Sequence, residues 1–147
     1  MSLRNVLALM VVSFFLASCG SGPVKRVSPP TASIQELSVR PDGSWHLRIR
    51  VQNFSNVSMT FSAIDAKLEI ADSEVGSITL PLKLDIPGES ADVFETDMIP
   101  LSSTRPQAGD FAYRLHGKIS SSEPKGNFNF ERKSRLSPAP GLVDTWR

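Results

Sequence analysis

A chain of 147 residues with 16 basic and 15 acidic residues carries a formal net charge of +1, which excludes the strongly basic footprint of a nucleic-acid binder. At 40% hydrophobic residues it has enough apolar material for one domain, and its single cysteine rules out an internal disulfide framework.

The first element is an apolar run from Val6 to Leu16, interrupted by Ser13 and preceded by Arg4. At about eleven residues it is too short to cross a bilayer core of roughly 30 Å, so it reads as an export signal occupying residues 1–18. It ends in Leu16-Ala17-Ser18-Cys19. That order of Leu, two small residues and Cys resembles the lipobox of bacterial lipoproteins, with Ser18 where Gly or Ala is commoner. The resemblance implies that the chain begins, once processed, at an acylated Cys19 carrying three acyl chains. Each buried methylene contributes about 0.8 kcal/mol, so such an anchor would be effectively permanent. Gly20, an uncharged residue after the cysteine, resembles the signal for sorting to the outer membrane, with the domain facing the periplasm. The alternative is an ordinary secretory signal that leaves Cys19 as a chance free thiol.

Residues 19–30 follow as a flexible tether rich in Gly, Ser and Pro, spanning on the order of 20 Å. From there to residue 136 apolar residues recur with a period of two, the signature of half-buried strands. Ile34, Leu37 and Val39 mark a first strand that turns at Pro41-Asp42-Gly43. Trp45, Leu47, Ile49 and Val51 alternate with His46, Arg48, Arg50 and Gln52 in a second. Val57, Met59 and Phe61 share one parity and Ile64, Ala66, Leu68 and Ile70 the other, which predicts a bulge or a change of sheet near Ser62-Ala63.

Ile78 to Ile86 alternates again, with Pro81 on the opposite parity, where only an edge or a bulge accommodates it. Ala91 to Met98 is a weaker strand and Pro100 to Gly109 a polar connection. Phe111, Tyr113, Leu115 and Ile119 define the next strand, and Gly126 to Leu136, with Phe128 and Phe130 inward, the last. About seven strands at roughly ten-residue spacing predict an all-β antiparallel sandwich of immunoglobulin or fibronectin type over residues 31–136. Residues 137–147 read as a Pro-rich tail that ends regular structure and carries Trp146, which either docks back on the domain or captures a partner.

Several of these segments resemble the late embryogenesis abundant type 2 family, also called the water-stress and hypersensitive-response (WHy) domain. The family's second strand runs into Asn-Pro-Asn. Here Trp45 to Gln52 runs into Asn53-Phe54-Ser55-Asn56, with Phe54-Ser55 where the family has a single Pro. Val57 to Phe61, Ile64 to Ile70 and Tyr113 to Ile119 also look like the family. The resemblance implies a sandwich with no enzymatic activity and a part in stress protection or binding.

Little else in the chain points to chemistry, and no cofactor is expected. His46 and His116 are the only histidines, each on the polar parity of a strand; they read as solvated imidazoles and not as a metal site. Serine runs lack the Gly-x-Ser-x-Gly elbow. Arg48 and Arg50, with Arg114 and Lys118, lie on the outward parity of two strands that neighbour in many sandwiches; they read as a solvated sheet face with salt bridges, with a basic stripe available to acidic lipid or polysaccharide as the lesser reading. Asn53 and Asn56 are read as turn residues with binding as a lesser role. The expected partners are the membrane, through lipidated Cys19, and an envelope protein; no nucleic acid is expected, and the sequence fixes no oligomeric state. Two functions follow: an anchored protein that protects or binds envelope components under desiccation or osmotic stress, or an accessory subunit of an envelope secretion or transport complex.

Overall fold

In a computed structural model that describes residues 22–103 and 105–147, two antiparallel sheets of four strands face each other. In chain order the strands are β1 (Thr31–Val39), β2 (Trp45–Gln52), β3 (Met59–Ile70), β4 (Ser73–Ile86), β5 (Ala91–Met98), β6 (Phe111–Glu123), β7 (Lys125–Leu136) and β8 (Thr145–Trp146). One sheet has the order β5-β2-β1-β8 and the other β4-β3-β6-β7. The described residues include no helix long and apolar enough to cross a membrane.

The alternation read from the sequence is the alternation of burial. Trp45, Leu47, Ile49 and Val51 are all buried, facing Leu68, Leu115, Ile119 and Phe61 in a single core. The predicted change of parity is a bulge: pairing of β3 with both neighbours slips between Phe61 and Ala63, so that Met59 and Phe61 point inward before it and Ile64, Ala66 and Leu68 after it. Without that extra residue half the apolar set of β3 would face water. β4 is an edge strand and Pro81 lies opposite Ala63 at this bulge, so the proline satisfies both conditions that the sequence set for it. The predicted turn closes with Gly43 at φ +86 and hydrogen bonds from Arg40 N to Ser44 O and from Gly43 N to Arg40 O.

A second slip lies in β1, between Ile34 and Glu36. It accounts for the odd spacing of Ala32 and Ile34 against Leu37 and Val39, all of them buried. The slip frees the Ile34 N–H, and the hydroxyl of Tyr113 on β6 accepts it at 3.0 Å across the core. Burial raises the Tyr113 pKa above its ordinary 10.0, which keeps the hydroxyl protonated at neutral pH.

The tail adds an eighth, two-residue strand to the about seven that the sequence predicts. Residues 137–147 do not leave the domain: the chain turns through Gly141 at φ +78 and Asp144 at φ +48 and returns as β8 alongside Leu37 and Ser38 of β1. Ser137 and Arg147 exchange backbone hydrogen bonds, Val39 N donates to Asp144 O, and Arg147 Nε reaches Glu36 at 2.7 Å. The gain that drives this return is Trp146, 5% exposed and edge-on to Phe111 with ring centroids 5.9 Å apart. A two-residue strand carries no periodicity, so pattern reading had nothing to detect.

Two substitutions test these contacts by urea denaturation. Trp146→Ala is expected to lower stability by about 3–5 kcal/mol, in the range for emptying a large aromatic site. Tyr113→Phe removes one oxygen and leaves the Ile34 N–H buried without an acceptor, which costs about 1–3 kcal/mol; a loss below a few tenths would mean that the cross-sheet bond is not made in solution.

Candidate functional site

The Asn53–Asn56 segment organises one end of the sandwich. Asn53 is fully buried, with its Nδ2 within reach of the carbonyls of Val57 (2.9 Å), Ile86 (3.0 Å) and Pro87 (3.0 Å). Its Oδ1 accepts from Ser55 N at 2.9 Å and its own N–H donates to Ser90 O. One amide thus ties together the segments that follow β2, β4 and the turn before β5, at a depth where an unsatisfied polar group would be costly. That depth leaves Asn53 as a structural residue.

Asn56 is exposed and acts outward, on the chain that precedes β1. Its Oδ1 accepts from Arg26 N at 2.7 Å, its Nδ2 donates to Val24 O at 2.8 Å, and its backbone N–H donates to Arg26 O at 3.2 Å. Ser55 Oγ accepts from Ser28 N at 2.9 Å, and Arg26 sits 3.7 Å from Glu89. The C-terminal half of the predicted tether is therefore stitched to the domain from Val24 onward. Cys19 lies outside the described residues.

The basic stripe, the lesser reading of these four residues, is not formed. Arg48 and Arg50 belong to β2, whereas Arg114 and Lys118 belong to β6 of the opposite sheet, so the two pairs face solvent on opposite sides of the molecule. The assignment required the two strands to be neighbours, and each instead pairs within its own sheet: β2 with β1 and β5, β6 with β3 and β7. Arg48 Nε lies 3.2 Å from Glu95. Trp146 is a core residue, so of its two expected states the structure shows the docked one.

Each histidine faces carboxylates across a strand pair. His46 Nδ1 is 2.7 Å from Asp97 Oδ1, its Nε2 3.6 Å from Glu95, and Arg40 Nη1 donates to the other oxygen of Asp97 at 2.7 Å. Because a carboxylate only accepts, Nδ1 carries the proton, and its 3.2 Å contact with Arg40 Nη2 is then between two donors. On the opposite sheet Glu69 accepts from His116 Nε2 at 2.9 Å and from Arg114 Nη1 at 3.0 Å, while Arg114 Nη2 continues to Glu131 at 2.9 Å. The hydrogen bond from His46, then that from Arg40, holds the Asp97 carboxyl below its ordinary 3.8. Arg114 first and His116 second do the same to Glu69, below 4.5. Sequence reading missed these partners because Glu95 and Asp97 meet His46 only through the register of β5 against β2.

Beside the Glu69 cluster, Asp65, Lys67, His116, Lys118, Asn129 and Glu131 rim a hollow of about 700 Å³ that is open to solvent. Gly117 lies within it at φ +155, where a Cβ would collide with the Asp65 carbonyl and approach Ala66 Cα to 2.6 Å. Among the described residues no group of three His, Cys, Asp or Glu side chains converges on a metal position.

No family model matches the chain, and no curated protein matches it significantly. Solved structures do match. The solution structure of an Arabidopsis thaliana protein is 12% identical with a TM-score of 0.54, over 87% of this chain and 93% of that one. A candidate ApaA protein from Bordetella pertussis is 11% identical with a TM-score of 0.49, over 82% and 100%. A candidate late embryogenesis abundant protein solved in solution is 12% identical with a TM-score of 0.45, over 92% and 87%. At these identities the likeness is one of fold alone, and of the three the Arabidopsis protein carries it.

The carboxylate clusters set a pH dependence. Asp97 and Glu69 have folded pKa values below their unfolded ones, so their contribution is present above the unfolded values and is lost as pH falls through the folded ones. The denaturation midpoint is expected to fall on acidification below about pH 4, and Asp97→Asn with Glu69→Gln should flatten that slope while leaving spectra of the folded state unchanged.

Proposed function

We propose that this chain is a non-catalytic lipoprotein of a bacterial envelope, anchored in the outer membrane through acylated Cys19, whose WHy-like sandwich faces the periplasm and protects or binds envelope components under desiccation or osmotic stress. The observation that carries the reading is Leu16-Ala17-Ser18-Cys19 behind the apolar run Val6 to Leu16. The family resemblance of the strands and of Asn53-Phe54-Ser55-Asn56 supplies the stress-related part. The geometry supports a surface role in preference to catalysis: the histidines are engaged by carboxylates, and the hollow on the outer face of β3 and β6 is open and not enclosing.

A second reading, an accessory subunit of an envelope secretion or transport complex, is favoured by one observation. At the end of the sandwich away from Asn53, Ile99 (84% exposed), Leu101 (69%), Leu142 and Val143 (87%) stand in water on two segments joined by the Arg105–Asp144 ion pair at 3.2 Å. Isolated exposed apolar residues are ordinary, but a group at one end marks a contact surface. Removing the tail would not test it cleanly, since residues 137–147 complete the core through Trp146.

Two measurements decide. In the native host, the wild-type chain should fractionate with the membrane and show an acylated N-terminal cysteine by mass spectrometry, and Cys19→Ser should move it to the soluble fraction. Capture from detergent-solubilised envelope should give no stoichiometric protein partner, and the deletion strain should be desiccation-sensitive. A partner captured by wild type and lost in the Leu101→Ser, Val143→Ser variant establishes the subunit reading instead.

A further inference from the structure

We infer that the Asn53–Asn56 end of the sandwich is a lipid-contacting surface, on which Val24, Val27 and Phe54 seat the domain against the bilayer in a fixed, end-on orientation. The inference rests on the reading that Cys19 is acylated, and it adds a surface and an orientation to it.

The argument begins with reach. An unbound chain from Cys19 to the start of β1 would extend up to about 40 Å and leave the domain free to tumble above the headgroups. The stitching of Val24 and Arg26 to Asn56 leaves five residue steps between Cys19 and Val24, a chain length that spans at most about 18 Å. The end that bears Asn56 is thereby held at the lipid surface whenever the cysteine is embedded.

The side chains at that end suit the place. Val24 is 82% exposed, Phe54 47% and Val27 46%, three large apolar residues with no core to enter, at the point where the chain leaves for the anchor. Arg26 donates to the Phe54 carbonyl at 3.4 Å, which joins the two segments into one surface. Charge does not favour an anionic headgroup: Arg26 is offset by Glu89 at 3.7 Å, Asp92 and Glu123 at the same end offset Lys25 and Lys125, and Asp85 opposite Thr60 adds a negative charge. The occupant is accordingly the apolar boundary of a bilayer and not an anionic headgroup. The acyl chains supply the affinity, and these three residues need only decide which side of a tethered domain faces down. Ile99, Leu101 and Val143, at the opposite end, then point away from the membrane.

The test uses the full acylated chain reconstituted in vesicles of phosphatidylethanolamine and phosphatidylglycerol whose acyl chains carry bromine, with mass spectrometry of Cys19 on the same sample. Trp45 and Trp146 are buried, at 1% and 5% exposure, and give a constant background. Phe54→Trp or Val27→Trp should add emission that is blue-shifted and quenched by bromine, and Leu101→Trp should add emission that is not, with the same pattern in vesicles of phosphatidylcholine alone. Quenching that is equal at both ends, or absent from Phe54→Trp and Val27→Trp in an acylated chain, overturns the orientation while leaving the anchor standing. A free thiol in membrane-free protein overturns the anchoring reading, and the orientation with it.

Discussion

Each inner strand of this sandwich, β1, β2, β3 and β6, must keep one set of side chains dry along most of its length, and a period of two allows that only while the strand and its partners stay in register. β1 and β3 cannot satisfy the condition with unbroken pairing, because their apolar residues change parity midway. Each inserts one extra residue, and each insertion needs a partner that absorbs it. In β3 the partner is the edge strand β4, where Pro81 stands opposite the slip. In β1 it is Tyr113, whose hydroxyl takes the freed Ile34 N–H from the other sheet. A hydrogen bond that crosses the core in this way ties the alignment of one sheet to that of the other, so the two slips are a shared property of the molecule and not local flaws.

The outer faces follow a different logic. Individual exposed ion pairs contribute at most about 1 kcal/mol, and nothing in the fold depends on any one of them. Their arrangement is nonetheless ordered: Glu69 receives both Arg114 and His116 from the neighbouring strand, and Asp97 receives both His46 and Arg40. Cross-strand pairs of opposite charge favour one register over those displaced by a residue or two, which complements what the buried alternation enforces from inside.

Much of this architecture was legible in the chain itself. β2 coincides with the segment read from alternation, and the slip of β3 falls where the parity changes, because burial on one face writes itself directly into residue order. The comparable slip in β1 is written in the odd spacing of Ile34 and Leu37. What could not be read was whatever depends on strand order. Arg48 and Arg114 sit on similar alternating segments, and only the topology separates them onto opposite faces. The carboxylate partners of His46 and His116 are hidden for the same reason. Trp146 is a third kind of case: two residues of strand leave no pattern, and the turn that returns them is built from Gly141 and Asp144 in left-handed conformations that composition alone does not locate.

The placement of Pro81 has one more consequence. β4 is the outermost strand of its sheet, and its free rim is the natural place for another molecule's backbone to zip on and begin a fibril. A proline there lacks the N–H that an incoming ladder would need, and it interrupts the rim near its midpoint, with Ser73 to Leu80 on one side and Leu82 to Ile86 on the other. No ladder can run unbroken along the whole rim. For a protein built almost wholly of strands, that break weakens the pairing of a second copy along this rim.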